Sequence, residues 1–501
     1  MGKKGKVRCR LMLAMVGVLT LALLLTVVGP AAAKGYEQTN LVSDIAGLAL
    51  FTDPNVVNPW GIAFGPTGLL WVANAGTGVS TVYERDGSPT GLVVTIPPPP
   101  GVATPSAPTG MVFNPTSDFM VSMDSNSGPA RFIFVTEEGT ISGWNPTVNP
   151  TAAVPKVDNS AAFAGYKGLA LAATSGGSFI YAANFYSGMV DMFDGSWAPV
   201  RSFTDPALTA QGYAPFGIAK IGEVLFVSFA RQDAALRDDV PGPGNGFVDI
   251  FDTAGNLVRQ FAAHEPLNSP WGMVMAPGNF GAFSGMLLVG NFGDGRINAF
   301  DPSSGMALGP LEDQQGQPIE IEGLWGLEFP PPRIAPGWVM LMPKSEPQVP
   351  ALLYFAAGID DEAHGLVGTL KATPPRACDV RLEAIVTPAA INLRQPKQAT
   401  KQIRVRVQSA ACDALVEVSL IRWRYQTGGA MDVLNTWSNV AVPANRSIWL
   451  TPDFMYTYEC ADRPDIKWKA VVTRLDGPDS APQNNVKLKL VHVKGDGRVC
   501  P

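Results

Sequence analysis

The stretch 269–275 of the sequence is SPWGMVM, and the same short pattern occurs six times along the chain. In each copy a bulky or polar residue precedes a glycine, and an alternating apolar strand follows it. The other five copies are NPWGIAF, APTGMVF, YKGLAL, APFGIAK and GLWGLEF, and the six glycines are Gly61, Gly110, Gly168, Gly217, Gly272 and Gly326. Neighbouring glycines are 49 to 58 residues apart, which is close to the length of a four-stranded propeller blade. The sequence therefore predicts a β-propeller.

A second repeated phrase follows each of these strands. NAGTGVSTVYERDG begins at Asn74, NFYSGMVDMFDG at Asn184 and NFGDGRINAFD at Asn291. Each phrase begins with a turn and continues as a strand of alternating residue character. It ends in a second turn that contains aspartate, which glycine follows in the first two phrases. The second unit fits the same frame, and the fourth and sixth fit it with insertions. Six units predict six blades, and TNLVSD (39–44) is expected to supply the strand that completes the last one.

The repeated PWG strands, NFGDGRINAFD and YFAAGIDDEAHGLVG together resemble an uncharacterised family of exported bacterial six-bladed β-propellers. That family is related in fold to NHL-repeat and gluconolactonase-like propellers. The resemblance covers about residues 36–372. It implies the fold but no particular reaction, because the same fold hosts both binding proteins and enzymes.

The N-terminus predicts export from the cell. A basic head (KKGKVRCR) precedes an apolar run over residues 11–28, and GPAAAKG follows it. This order is typical of a secretory signal peptide, here over residues 1–33. We therefore expect a secreted, periplasmic or extracellular protein. The apolar run is also long enough to remain as an uncleaved anchor, which would be the only membrane contact.

The distribution of charge predicts two domains. Residues 34–375 contain 14 Lys and Arg against 31 Asp and Glu, whereas residues 376–501 contain 18 against 12. An acidic propeller over 34–372 would thus be followed by a basic domain over 373–501. The acidic charge of the propeller argues against nucleic acid as its ligand.

The basic C-terminal part is predicted to be an immunoglobulin-like β-sandwich. The segments RVRV, IRWRY, IKWKAV and VKLKLVHV alternate apolar and basic residues, as strands do when one face lies in a core and the other carries charge outward. The ending DGPDSAPQNNVKLKLVHV resembles bacterial adhesion-related sandwich modules. The basic faces would dock on the acidic propeller, be solvated, or bind a polyanion or cell-surface material.

The cysteines that follow the predicted signal segment all lie in this domain. They are Cys378, Cys412, Cys460 and Cys500. An even number in an exported protein predicts two disulfides, and three pairings are open. A zinc site is not expected because no CxxC motif occurs.

Three asparagines are candidate binding residues. Asn74, Asn184 and Asn291 each stand four residues before an aligned glycine, at the end of a strand expected near the central channel. Three amides at one channel mouth could coordinate a hard cation or hydrogen-bond a small polar ligand. The alternative is that each amide satisfies backbone groups of its own turn.

The resemblance adds candidate acidic residues. In gluconolactonase-like propellers, carboxylate and amide oxygens at comparable strand ends hold a divalent metal that polarises the lactone. The acidic ligands here would be Glu137 or Glu138 of the second unit, or Asp233, Asp238 or Asp239 of the insertion in the fourth unit. No complete acid–base set stands in register with the asparagines.

These observations favour an exported, non-catalytic binding or scaffold protein. The channel mouth would bind a ligand or a metal, and the C-terminal domain would attach the protein to a surface or a partner. The alternative is a metal-dependent lactonase- or lyase-like enzyme that uses the same residues with Ca²⁺ or another divalent metal. The sequence contains no HExxH, GxSxG or GxxxxGK[ST] motif, so zinc protease, esterase and nucleotide-binding functions lack support.

Overall fold

The computed structural model describes residues 35–331 and 350–373 and several stretches of the C-terminal quarter. These stretches are 379–387, 390–393, 399–410, 414–424, 431–443, 446–452, 456–458, 465–474 and 486–495. The predicted signal segment and Cys378, Cys412, Cys460 and Cys500 lie outside the described residues. Within the described residues, no helix combines the length and apolar character needed to cross a membrane.

Six sheets of four main strands follow one another along the chain, and each is one blade of a propeller. Strands are numbered in chain order, beginning with β1 (Tyr36–Ser43) and β2 (Phe51–Thr52). Blade 1 contains β3 (Pro59–Phe64), β4 (Leu70–Asn74), β5 (Val79–Tyr83) and β6 (Pro89–Thr95). Blade 2 contains β7 (Pro108–Phe113), β10 (Phe132–Thr136), β11 (Thr140–Trp144) and β12 (Val154–Asp158), and the hairpin β8 (Met120–Met123) and β9 (Asn126–Pro129) is inserted after its first strand.

The next three blades repeat this arrangement. Blade 3 contains β13 (Tyr166–Thr174), β14 (Gly177–Asn184), β15 (Met189–Asp194) and β16 (Pro199–Phe203). Blade 4 contains β17 (Tyr213–Ile221), β18 (Val224–Arg231), β19 (Phe247–Asp252) and β20 (Leu257–Ala263). Blade 5 contains β21 (Pro270–Met275), β22 (Leu287–Asn291), β23 (Ile297–Phe300) and β24 (Ala307–Pro310). The connections contain the one-turn helix α1 (Pro206–Thr209) and 3₁₀ turns at Ser160–Ala162 and Gly281–Phe283.

The two ends of the propeller form the sixth blade together. Its strands β25 (Leu324–Glu328), β26 (Leu352–Ala357) and β27 (Leu366–Ala372) are completed by β1, which pairs antiparallel with β27. Residues 39–44 therefore lie where the sequence pattern predicted the closing strand. This pairing closes the ring through backbone hydrogen bonds, so the described propeller has six blades.

The repeated glycine allows the innermost strands to approach each other around the channel. A side chain at Gly61 would place its Cβ 2.5 Å from the backbone oxygen of Thr109 in the next blade, and one at Gly326 would lie 2.5 Å from that of Trp60. No real Cβ tolerates such a distance. Only glycine fits here, which explains why the pattern keeps it in all six copies.

The apolar strand residues fill the spaces between neighbouring blades. Between blades 1 and 2, for example, the indole of Trp71 stacks on Phe132, with ring centroids 3.9 Å apart, and Trp144 lies 4.8 Å from Trp71. One blade cannot bury both of its faces alone, and the next blade covers the exposed one.

The described part of the C-terminal region forms two main sheets. One contains β28 (Asp379–Val386), β31 (Arg404–Ala410) and β34 (Ser447–Leu450); the other contains β29 (Ala390–Leu393), β32 (Ala414–Arg424), β33 (Met431–Val442), β36 (Asp465–Arg474) and β37 (Val486–Gly495). A short pair joins β30 (Ala399–Lys401) and β35 (Tyr456–Tyr458). Both main sheets supply residues to one buried core, among them Val405, Val407, Val418, Leu420 and Val472.

Candidate functional site

An aromatic plug closes the channel at the end where the innermost strands begin. The residue before each repeat glycine lies in one ring around the axis, and these residues are Trp60, Thr109, Lys167, Phe216, Trp271 and Trp325. Trp60 and Trp325 stack with centroids 3.4 Å apart, and Phe292 covers the other side of Trp325 at 4.0 Å. The plug consists of the aromatic ring residues together with Phe185 and Phe292.

Lys167 is the one charged member of this ring. Its side chain is only 4% exposed, and its ammonium lies 5.0 Å from the ring centroid of Trp60 and 5.9 Å from that of Phe185. It forms an ion pair with Glu137 and lies 3.7 Å from Asp238 Oδ1. A buried lysine is therefore held between aromatic faces and carboxylates at the channel mouth.

The charge state of Lys167 follows from these neighbours. Burial alone would lower the pKa of its ammonium, but the charge and hydrogen bond of Glu137, together with the charges of Asp238 and Asp239, outweigh this effect, and the pKa is raised. The side chain therefore carries its proton at neutral pH. It can donate hydrogen bonds or pair with an anion, but it has no free amine to act as a base or a nucleophile.

Four carboxyl groups interact electrostatically with the ammonium, and we call Glu137, Asp238, Asp239 and Glu362 the acidic rim. They come from the connections between the second and third strands of the even-numbered blades: residues 137–139 in blade 2, 232–246 in blade 4 and 358–365 in blade 6. Glu362 influences the same electrostatic cluster, since its pKa responds to Glu137, Lys167 and Asp238. Three equivalent loops thus contribute to one site.

Two members of the acidic rim have raised pKa values. Burial raises the pKa of Glu362, although the bond from Asn58 opposes the shift. Burial also raises the pKa of Asp239, against the effect of Lys167 nearby. Both groups therefore favour the neutral acid more than an exposed carboxyl group does.

Glu362 is linked to the plug through one amide. Its Oε2 accepts a hydrogen bond from Asn58 Nδ2 at 2.5 Å, and Asn58 Oδ1 accepts one from Trp325 Nε1 at 3.2 Å. The loop that carries Glu362 is strained, because Asp360, Asp361 and Glu362 have φ values of 56°, 50° and 65°. Left-handed conformations cost non-glycine residues about 1–2 kcal/mol each, and such strain concentrates at functional sites.

The plug also contains unsatisfied donors. The indole nitrogens of Trp60 and Trp271 are buried, and neither has a hydrogen-bond partner among the described residues. An unsatisfied buried donor costs about 1–3 kcal/mol. These two N–H groups lie in the same ring as Lys167.

The three candidate asparagines lie in the odd-numbered blades, and each bonds within its own blade or the adjoining turn. Asn74 Nδ2 donates to Thr81 Oγ1 at 3.0 Å, and Asn291 Nδ2 donates to the carbonyl of Pro266 at 2.8 Å. Asn184 donates to Asp191 at 2.9 Å and accepts from the amide of Gly165 at 3.2 Å. The described contacts join none of these amides to Lys167.

The predicted acidic residues divide into two groups. Glu137, Asp238 and Asp239 come together around Lys167. Asp233 instead accepts hydrogen bonds from the backbone N–H groups of Arg237 and Asp238, which lower its pKa, and it shapes its own loop. Glu138 accepts from the N–H of Ala107 at 3.0 Å.

Lys167, Glu362 and Asn58 were not predicted from the sequence as site residues. The signal for Lys167 was present, because YKGLAL is the one repeat with a charged residue before its glycine. For a metal, the described residues contain no group of three or more His, Cys, Asp or Glu side chains placed to hold an ion.

Comparison with known proteins identifies viral relatives. No family model matches the sequence. An uncharacterised protein of Acanthamoeba polyphaga mimivirus is 33% identical over 341 residues, which cover 66% of this chain and 78% of the viral protein. A second uncharacterised protein of this virus is 32% identical over 353 residues, which cover 68% of this chain and 87% of that viral protein. The expected relatives were bacterial, whereas these matches are viral.

Solved structures with a related fold are more distant. Virginiamycin B lyase from Staphylococcus aureus is 13% identical, with 68% of this chain and 99% of that chain covered and a TM-score of 0.39. A luciferin-regenerating enzyme is also 13% identical, with 68% and 95% covered and a TM-score of 0.37.

Proposed function

The chain belongs to the same family as these uncharacterised mimivirus proteins, and from this premise we propose that it is a binding protein whose ligand site is the channel mouth around Lys167. The ligand is a small polar molecule whose hydroxyl or ammonium groups donate hydrogen bonds to the acidic rim. The aromatic plug forms the floor of the site.

The observation that carries this proposal is the position of Lys167. Five of the six ring positions hold Trp, Thr or Phe, and only one holds a charge. Burying an ammonium is unfavourable unless it is paired and hydrogen-bonded. A residue needed only for packing would be uncharged here, as in the other five blades, so the lysine and its carboxylates are better explained by a polar ligand.

The charge balance of the site supports the ligand class. Four carboxyl groups interact electrostatically with one ammonium, so acidic groups outnumber the cation at the mouth. Such a mouth repels anions and attracts hydroxyl-rich or cationic molecules. Lys167 would then donate a hydrogen bond to one carbonyl or hydroxyl oxygen of the ligand, which fixes the orientation of the ligand.

Binding without catalysis is favoured by the chemistry of the same residues. Lys167 is protonated and offers no nucleophile. The alternative, a metal-dependent lactonase- or lyase-like enzyme, requires the acidic rim to hold a divalent cation. Metal analysis of the purified protein and incubation with small lactones would distinguish the two: bound metal with turnover supports the enzyme.

The direct test is a binding screen by ligand-observed NMR with amines, polyols and carboxylates of similar size. We expect amines and polyols to bind, and Glu362→Gln to weaken their binding at least about tenfold. Asp361→Asn is the matched control, because Asp361 is exposed in the same loop. The proposal would be contradicted if only carboxylates bound, or if Glu362→Gln bound amines and polyols as tightly as the wild-type protein does.

We further infer that residues 373–501 form an immunoglobulin-like β-sandwich that attaches the protein to a surface or partner. The shared core of the two main sheets supports this inference. Export would allow its four cysteines to form two disulfides. Mass spectrometry of the unreduced protein from an oxidising compartment would test the disulfides, and four free thiols would contradict them.

A further inference from the structure

A second cavity lies on the opposite side of the aromatic plug. It has a volume of about 770 Å³ and is lined by all six innermost strands as they run away from the plug. Its wall consists mainly of the repeat glycines and the three residues that follow each of them. The volume falls within the range of small-molecule sites, about 300–1,000 Å³. This cavity is separate from the mouth that contains Lys167.

The cavity wall is apolar except at two positions. The second residue after the glycine is Ala63, Val112, Ala170, Ala219 or Val274 in blades 1 to 5, and it is Glu328 in blade 6. The other charged lining residue is Lys220, which has its own partner in Glu223 at 3.8 Å. At this position of the repeat, Glu328 therefore places a carboxyl group in a wall that is otherwise mainly apolar.

A carboxyl group at this point is costly to ionise. Burial raises the pKa of Glu328 to about 8, and the backbone N–H of Phe329 offsets only part of the shift. Among the described residues, Glu328 forms no ion pair, and a desolvated carboxyl group without a counter-charge favours its neutral form. A cation placed beside it would favour the ionised form.

Aromatic rings line the same side of the cavity. Phe329, Phe64 and Phe113 occupy the third position after the glycine in blades 6, 1 and 2, which are consecutive in the ring. The Phe64 ring already has a cation near it, since the Arg85 guanidinium lies 5.7 Å from its centroid. Aromatic faces combined with a carboxylate are the groups that recognise organic ammonium ions.

We propose that this cavity binds a small hydrophobic ammonium ion, with Glu328 as its counter-ion and Phe64, Phe113 and Phe329 against its apolar part. The apolar residues of the other blades supply the remaining contacts. A neutral molecule of the same shape would gain the apolar contacts but not the ion pair.

The test compares phenyltrimethylammonium with tert-butylbenzene, which has the same shape and no charge. We expect the cation to bind the wild-type protein at least about tenfold more tightly, as measured by NMR titration. Glu328→Gln should remove this preference and leave tert-butylbenzene binding unchanged. Glu223→Gln, at the exposed partner of Lys220, is the matched control and should change neither affinity.

The pH dependence of the wild-type protein provides a test that needs no variant. Phenyltrimethylammonium keeps its charge at every pH, and the pKa of Glu328, about 8, lies between pH 6.5 and 9. The affinity for the cation should rise about tenfold over this range, whereas that for tert-butylbenzene should not change. Phe113→Leu should weaken cation binding about three- to tenfold by removing one aromatic face.

Several outcomes would overturn the proposal. Equal affinity for the two probes, no binding of either at millimolar concentration, or an affinity for the cation that is independent of pH would each do so. The acidic rim is the other place where a cation can bind. Weaker binding in Glu362→Gln with unchanged binding in Glu328→Gln would assign the cation to the rim and reject the cavity.

Discussion

Glu362 accepts a hydrogen bond from Asn58 at 2.5 Å, and this bond joins the last blade of the propeller to the first. Asn58 also accepts a hydrogen bond from the indole N–H of Trp325, and Trp325 stacks on Trp60. The ring is thus closed by side chains at the channel mouth as well as by the pairing of β1 with β27. Stability of the ring and geometry of the proposed ligand site depend on the same residues.

Replacement of Asn58 should therefore destabilise the propeller. Asn58→Ala leaves the Trp325 indole and the Glu362 carboxyl without their partner, and we expect a loss of about 1–3 kcal/mol. The measurement is urea unfolding followed by tryptophan fluorescence. Asn256→Ala removes an exposed Asn–Asp hydrogen bond and should cost less than about 0.5 kcal/mol; equal losses in the two variants would contradict the role of Asn58.

Lys167 and Glu137 should be energetically coupled. Lys167→Met removes the ammonium but leaves the Glu137 carboxylate beside an apolar side chain, and because Glu137 is partly exposed we expect a loss of about 1–3 kcal/mol. The double variant Lys167→Met/Glu137→Gln should recover at least half of the stability that Lys167→Met loses. A double-mutant cycle measures the coupling, and strictly additive effects would exclude the ion pair as a significant interaction.

Asp249 should make the protein less stable as the pH rises. It is fully buried on β19 beside Asp205, and burial followed by the Asp205 charge raises its pKa to about 8. The folded state thus prefers the neutral acid, so stability is highest below the ordinary carboxyl pKa and falls as the pH rises towards 8.

Asp249→Asn imitates the neutral acid and should remove this loss. We expect its melting temperature to match the wild type near pH 4 and to exceed it by several degrees at pH 8 to 9. Asp361→Asn, at an exposed carboxylate, should show no such pH-dependent gain. A variant less stable than the wild type at pH 9 would show that Asp249 is ionised and stabilising.

His364 should titrate above its ordinary range. Its Nδ1 lies 2.6 Å from Asp44 Oδ2, and this hydrogen bond is the main reason that its pKa is raised. The interaction is fully present below the ordinary histidine pKa of 6.5 and is lost as the pH rises through the higher folded value. NMR titration should show a lower His364 pKa in Asp44→Asn, while Asp86→Asn should leave it unchanged.

The fold was predictable because its signals are local and repeated. Gly61 and its five equivalents lie where neighbouring innermost strands come into contact. Because each unit has a glycine at this position, the close approach could be predicted from the sequence. The closing strand could be assigned to 39–44 because the sixth unit lacked one. The β8–β9 hairpin has no counterpart among the described residues of the other blades, so no repeat could indicate it.

The site was predictable only in part, because its residues come together through closure of the ring. Glu137 and Glu362 belong to blades 2 and 6 and are far apart in the sequence, and both contribute to the electrostatics around Lys167. The asparagine pattern was stronger in the sequence, and these asparagines form hydrogen bonds within the odd-numbered blades and their adjoining turns. The repeated residues form the propeller scaffold, whereas the candidate sites lie where a residue differs from its equivalents in the other blades.

The shared sixth blade has a consequence for synthesis of the protein on the ribosome. Strand β1 emerges first but pairs with β27, the last strand of the propeller to be made. Blades 1 to 5 can therefore assemble during translation, while both ends of the growing ring expose unpaired faces. An exposed strand edge promotes aggregation. A nascent chain stalled before residue 366 would then be the form that most requires protection by chaperones.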